Sequence, residues 1–178
     1  MSAATTLEHR VRQALRPIMD YPKPGIVFQD ITPVLADAAL LHDVVAAMAE
    51  PFAGTGVSHV VGIEARGFIL GGAVATALRA GFVPVRKPGK LPWERVKEEY
   101  ALEYGTDALE CHSDALTPGR RVLVVDDVLA TGGTAKAAAR LARKLGSEVV
   151  GWSFLLEIGF LQGRGRLSGA PSRVLAAV

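Results

Sequence analysis

The stretch Val122–Thr134, VLVVDDVLATGGT, decides the architecture. Its first four residues are a continuous apolar run after the Pro118–Gly119 turn, the pattern of a central parallel strand buried on both faces. Asp126 and Asp127 are expected at the carboxyl end of that strand, with Ala135–Leu145 as the helix that follows. In an open α/β sheet ligands bind at that edge, and the helix's first turn directs free N–H groups into the same crevice. Ala130–Thr134 then makes an anion cradle. Gly132 and Gly133 let the backbone approach a phosphate, while Thr131 and Thr134 add hydroxyls and cap the helix. Carboxylates repel phosphate, so the acid pair must serve another part of the same ligand, and acceptor-only oxygens suit sugar hydroxyls. A phosphate beside a diol reads as a ribose phosphate. There is no G-x-x-x-x-G-K-[ST] loop. The nearest approach to G-x-G-x-x-G starts at Gly163, has Ser168 in place of the last glycine and follows no strand.

Working outward, strands and helices alternate. Leu7, Val11, Leu15 and Ile18 recur at helical spacing behind Thr5 and Thr6, in a helix that weakens near Pro17. Tyr21–Gly25 is a Pro/Gly turn. Asp37 caps a second helix with Leu40, Leu41, Val44, Val45 and Met48 as its apolar stripe, ending at Pro51. His59–Ile63 reads as a buried strand, Phe68–Ala80 as a helix closed by Gly81, and Phe82–Val85 as the next strand. The polar segment Arg86–Glu99 leads into Tyr100–Tyr104 and Leu109–His112, which suit a two-stranded excursion resembling a flap. Glu148–Leu155 and Val174–Ala177 supply two further strands around an irregular Gly159–Gly169 segment.

A second constellation lies at the same sheet edge. Glu64-Ala65-Arg66-Gly67 directly follows the strand ending at Ile63. The planar fork of Arg66 suits phosphate oxygens, and Gly67 lets backbone N–H groups turn toward the same anion. Arg86, Lys87 and Lys90 follow the next strand, and three cations there are what a diphosphate site requires.

Composition bounds the rest. A chain of 178 residues that is 49% apolar buries one sizeable core, so 1–178 is expected as a single domain. A net charge of +2 with dispersed Lys and Arg gives no basic stripe for nucleic acid or a membrane surface. The most apolar stretch, Phe68–Val85, is broken by Arg79 and glycines, so no membrane span is expected. A single cysteine, Cys111, and no recognisable signal peptide point to the cytoplasm. Cys111 and His112 read as strand residues without a metal role.

The apolar strand, paired acids and T-G-G-T resemble the phosphoribosyl-diphosphate (PRPP) motif of the type I phosphoribosyltransferases. Along most of the chain the resemblance is to the adenine phosphoribosyltransferases. It is carried, in family order, by YPKPGIVFQDITPVL at Tyr21–Leu35, GIEARGF at Gly62–Phe68, VRKPGKLPWE through YALEYG at Val85–Gly105, and VVDDVLATGGTA at Val124–Ala135. It implies a Rossmann-like, mainly parallel α/β sheet flanked by helices, a base-binding hood within 1–35 and a β-ribbon flap over 87–105. It implies transfer of phosphoribose from PRPP to adenine with Mg²⁺ held mainly by PRPP and water, and no protein metal site. Carried over by position, backbone groups around Val27 and Gln29 read adenine while Phe28 and Ile158 pack on its faces. Asp126 and Asp127 hold the ribose, Ala130–Thr134 the 5-phosphate, and Arg66 and Lys87, with Lys90 nearby, the diphosphate. Glu103 stands near the purine N7 and Tyr104 closes over the site. Relatives often carry Arg where this chain has Gln29, which leaves backbone reading intact. The resemblance also implies a homodimer. A hypoxanthine, guanine or xanthine transferase, or a non-catalytic PRPP or purine sensor on the same fold, are the alternatives. The hood and the Glu103–Tyr104 segment weigh against them.

Overall fold

The computed structural model describes residues 6–101 and 105–178. In chain order these form α1 (Leu7–Ala14), β1 (Arg16–Met19), β2 (Val27–Asp30), α2 (Thr32–Ala36), α3 (Ala38–Ala49), β3 (His59–Ile63) and α4 (Arg66–Leu78). There follow β4 (Gly81–Val85), β5 (Arg95–Ala101), β6 (Thr106–His112), β7 (Arg121–Leu129), α5 (Gly133–Lys144), β8 (Glu148–Glu157) and β9 (Ser172–Ala177).

Five strands make a parallel sheet in the order β4-β3-β7-β8-β9. Side-chain alternation sends Val61, Val122 and Val124 to one face, where they meet Ala138 and Leu141 of α5. Val60, Leu123 and Val125 point the other way, onto Leu70 and Val74 of α4 and Val44 and Met48 of α3. The chain leaves β3 through α4 toward one sheet edge, and leaves β7 through α5 toward the other edge on the opposite face. The carboxyl ends of β3 and β7 therefore part at a topological switch point, which opens a crevice. Two antiparallel ribbons, β1-β2 and β5-β6, complete the fold.

Several boundaries differ from the sequence reading, each for a local reason. The first helix stops at Ala14 because Leu15 is already extended, and Pro17 could not give a helical N–H. Ile18 thus lies in β1 opposite Phe28, not on a helical stripe. Helix α4 is closed by Arg79 in the left-handed region (φ 55°), not by Gly81. Gly81 instead opens β4 against the His59 ring, where a Cβ would stand 2.8 Å from Cδ2. The ribbon begins at Arg95, where pairing with His112 starts, and Glu98 within it is clamped to α5 by Arg140 and by Lys144 at 2.5 Å. The central strand does not end at Val125. It continues to Leu129 by pairing with β8, although its pairing with β3 stops at Gly62↔Val125. Asp126 and Asp127 are thus strand residues held on one side and open to the crevice on the other.

Candidate active site

The crevice at the switch point is a chamber of about 410 Å³ whose walls include Arg66, Lys87, Asp126, Asp127, Ala130 and Thr134. The expected convergence of the two constellations is therefore present in the fold. Beside it lies a larger apolar cavity of about 530 Å³, lined by Val27, Phe28 and Gln29 of the hood together with Ile158. Arg66 and Val128 line both spaces.

The hood is a two-stranded sheet, so among the described residues one edge of β2 has no partner strand. Pro17 sits opposite Gln29 in register and has no N–H to give it. That makes 17/29 a non-hydrogen-bonded pair, and the alternation of an antiparallel ladder turns the Val27 and Gln29 backbone groups toward the open edge. The base of the hood is pinned. Arg16 reaches Asp30 at 2.7 and 3.0 Å, the Thr32 amide and hydroxyl bond the same carboxylate, and Ile31 and Val34 are fully buried. The Thr32 hydrogen bonds, followed by those of Arg16, push the Asp30 carboxyl down to about 2.

Arg66 begins α4 directly after β3 and donates from Nε to Asp127 Oδ2. Its guanidinium carbon stands 5.0 Å from the centre of the Phe28 ring. Asp127 is buried, and the Asp127 N–H bonds Asp126 Oδ1 at 2.9 Å. Burial, reinforced by the neighbouring Asp127 charge, raises the Asp126 carboxyl well above the ordinary carboxylate range. Gly67 lies in the first turn of α4, where backbone N–H groups have no intrahelical partner. It sits under Asp126, where a Cβ would fall 2.6 Å from Oδ1.

The cation cluster after β4 is also arranged differently. Arg86 donates to both Glu64 carboxylate oxygens at 3.0 and 3.1 Å and to the Lys90 carbonyl at 3.0 Å. The Arg86 hydrogen bonds hold Glu64 below its usual range. Arg86 thus fastens two loops together and is not a free anion ligand. Lys90 is exposed and does not line the crevice, whereas Lys87 does and is paired with Asp107.

The phosphate-type loop forms a niche of about 60 Å³ lined by Ala130, Thr131, Gly132 and Thr134, with Gly133 opening α5 behind it. No side chain caps α5. Its N-cap is Gly132 at φ 80°, so the N-terminal amides stay free of Thr131 and Thr134. Sequence reasoning missed the brace behind this loop, Gly163, where a Cβ would overlap the Ala130 carbonyl oxygen. Arg164 holds the brace by bonding Glu157 at 2.5 Å. It also missed Val128, Phe160 and Leu161 in the apolar cavity. Extending the strand through Leu129 would have found Val128 by alternation, whereas nothing local marks Gly163. Glu103 and Tyr104 lie outside the described residues.

Comparison with known proteins agrees with this geometry. The phosphoribosyl transferase domain family matches residues 35–160. The adenine phosphoribosyltransferase of Myxococcus xanthus strain DK1622 is 61% identical over 163 residues, spanning 92% of this chain and 89% of its own. Among solved structures, the adenine phosphoribosyltransferase of Rhodothermus marinus DSM 4252 superposes with a TM-score of 0.93 at 53% identity, covering 97% of this chain and 98% of its own. The Saccharomyces cerevisiae enzyme, solved with an imino-altritol bisphosphate and adenine, gives 0.88 at 38% identity over 95% of this chain and 98% of its own. With a family match over most of its length and relatives this close, the chain belongs to the adenine phosphoribosyltransferases of the phosphoribosyltransferase family.

Proposed function

We propose that this protein transfers the 5-phosphoribosyl group of PRPP to adenine, giving AMP and diphosphate. One observation carries the reading: an apolar cavity with an open backbone edge adjoins, through Arg66, a crevice holding a carboxylate pair and a phosphate-type loop. On this reading the base, ribose and phosphate sites lie in the order in which AMP presents those groups. Incubation with PRPP, Mg²⁺ and a panel of bases tests it, with AMP as the expected product. Hypoxanthine or guanine as the preferred base would overturn it in favour of a sister specificity, and no transfer to any base in favour of a sensor.

In the proposed reaction the adenine N9 lone pair forms the bond to the anomeric carbon with inversion. The electrons of the breaking C–O bond leave with diphosphate, and the ring proton of the base passes to the released diphosphate or to water. No enzyme nucleophile is needed. Val27 and Gln29 position the base by their backbone groups, with Phe28 and Ile158 against its faces. Asp126 and Asp127 hold the ribose hydroxyls, and Ala130–Thr134 the 5-phosphate. Arg66 exchanges Asp127 for the diphosphate, where with Lys87 it stabilises the growing negative charge. By family resemblance Glu103 acts near N7 and Tyr104 covers the sugar, within a flap over 87–105 that excludes water from PRPP. Its stem, β5, is the part clamped to α5.

The donor set fits Mg²⁺ carried by substrate. The crevice offers hard carboxylate oxygens at Asp126 and Asp127, the ligand type Mg²⁺ takes beside substrate phosphates and water. Bound with PRPP, Mg²⁺ would neutralise charge on the departing diphosphate.

Asp126→Asn tests the carboxylate pair twice. Losing a charge-assisted hydrogen bond of about 1.5–3 kcal/mol lowers kcat/KM for PRPP about tenfold to hundredfold. The stability effect runs the other way. Because the Asp126 pKa is raised in the folded state above its ordinary 3.8, the folded protein binds more protons than the unfolded chain. Stability therefore declines as pH rises above about 4 until Asp126 is ionised. Urea unfolding at pH 5 and pH 8 should show a smaller decline in the Asn variant than in the wild type. Equal slopes would mean that the Asp126 pKa is not raised by folding.

The assembly is a homodimer in this reading. Ile69 and Phe82 are exposed on α4 and the edge strand β4, beside the Gly62–Phe68 and Val85–Lys90 segments, and symmetric dimers are the commonest soluble oligomers. Light scattering should give twice the 18.8 kDa chain mass, and a monomer at assay concentration would refute it. We place the protein in the cytoplasm on its lone cysteine, Cys111, which is buried with its thiol pushed up to about 11 by that burial. Among the described residues no helix is long and apolar enough to cross a membrane.

A further inference from the structure

Lys87 stands at the crevice with its ammonium already engaged. It donates to Asp107 Oδ2 and lies 3.4 Å from the Tyr100 hydroxyl and 5.9 Å from the centre of that ring. Tyr100 and Asp107 are direct partners across the β5-β6 ribbon, and the tyrosine hydroxyl donates to the same carboxylate oxygen at 3.2 Å. The second Asp107 oxygen accepts the Ala108 N–H at 2.8 Å, so the backbone of β6 fixes the carboxylate's orientation. Tyr100 is only 6% exposed, and Thr134 of the phosphate-type loop donates to its hydroxyl at 3.4 Å.

This chain of contacts is referenced to α5 and not to the loop that carries Lys87. Glu98, two residues before Tyr100, is held by Arg140 and Lys144, and Lys144 also bonds the Lys97 carbonyl at 2.9 Å. Helix α5 begins at the phosphate-type loop. A ribose ring bearing a 5-phosphate and an anomeric diphosphate sets one separation between its two anions, so a protein that grips both needs their sites rigidly related. Lysine alone cannot supply this, because its ammonium rides on a flexible four-carbon stem. Of its three donors, Asp107 and Tyr100 take two and leave one for an incoming anion.

We propose that Asp107, together with the Tyr100 hydroxyl, is a positioning residue that holds the Lys87 ammonium at a fixed distance from the 5-phosphate loop, ready for the diphosphate of PRPP. This rests on the assignment of Lys87 to the diphosphate made above. Asp107 does not touch the reacting atoms, so its effect runs through Lys87 and spares a ligand that lacks diphosphate.

Calorimetric titration with PRPP, Mg²⁺-diphosphate and AMP separates the possibilities. Asp107→Ala should weaken PRPP and diphosphate about tenfold and leave AMP within about twofold, which also certifies an intact fold. Asp107→Asn keeps an acceptor for Lys87 and Tyr100 and should recover part of the loss. Lys87→Ala should weaken the same two ligands, and adding Asp107→Ala to it should cost nothing further. If Lys87→Ala leaves both affinities unchanged, the diphosphate role of Lys87 falls and the positioning inference with it. If Lys87→Ala weakens them, the inference alone falls on any of three results: unchanged or tighter binding in Asp107→Ala, full additivity in the double variant, or an equal loss of AMP.

Discussion

With PRPP and Mg²⁺ supplied, adenine should be turned over with a kcat/KM about 10⁴-fold above that for hypoxanthine or guanine. The expectation comes from the proposed reading of the base by backbone N–H and C=O groups at the open edge of β2, where Val27 and Gln29 line the apolar cavity. Adenine presents an acceptor at N1 beside an amino donor, which pairs with both. Hypoxanthine presents an N–H beside a carbonyl, which sets donor against donor and acceptor against acceptor. Leaving buried backbone groups unpaired costs about 1–3 kcal/mol each, and the cavity's apolar walls of Phe28, Ile158 and Val128 offer no substitute partner. Backbone reading also means that the Gln29 side chain contributes little to the discrimination. Steady-state rates for the three bases at saturating PRPP decide the matter, and a hypoxanthine rate within about tenfold of adenine would dismiss the hood as the reader of the base.

Gly163→Ala should lower kcat/KM for PRPP by about 10²-fold or more, although residue 163 contacts no substrate in the proposed mechanism. Its Cβ would overlap the Ala130 carbonyl oxygen and stand 3.2 Å from the Gly132 amide. Both are backbone atoms of the phosphate-type loop, so the collision cannot be relieved by turning a side chain. Gly132 has little room to retreat, since it occupies the left-handed N-cap of α5. A displacement of about 1 Å in a positioning element costs about 10²-fold in rate. Gly165→Ala is the matched control, because a Cβ there meets nothing within 4 Å. The expected pattern is a large loss at 163, felt in PRPP and AMP affinity alike, beside wild-type kinetics at 165. Wild-type kinetics for Gly163→Ala would mean that the loop is set by α5 alone.

What the sequence determined by itself was local chemistry in periodic segments. The apolar run Val122–Val125, the strand at His59–Ile63 and the Asp37 cap, whose carboxylate accepts the Leu40 N–H at 2.9 Å, all follow from residue types at short spacing. The alternation of strands and helices was enough to put Arg66 and the Asp pair at one sheet edge, because parallel topology brings strand ends together. The tertiary structure decided how each charged group is used. Arg86 is spoken for by Glu64, Lys87 by Asp107 and Arg66 by Asp127, and none of these partners is near its mate in sequence. The elevated pKa of Asp126 has the same origin, since desolvation depends on what packs overhead, here Gly67 of α4. Strand ends escaped as well: the extension of β7 over Asp126–Leu129 is a property not of β7 but of β8, which keeps the ladder going after β3 has stopped. Gly163 is the limiting case, a residue with no local signature whose importance comes from the meeting of two loops that are distant in the chain, where only the absence of a side chain lets them touch.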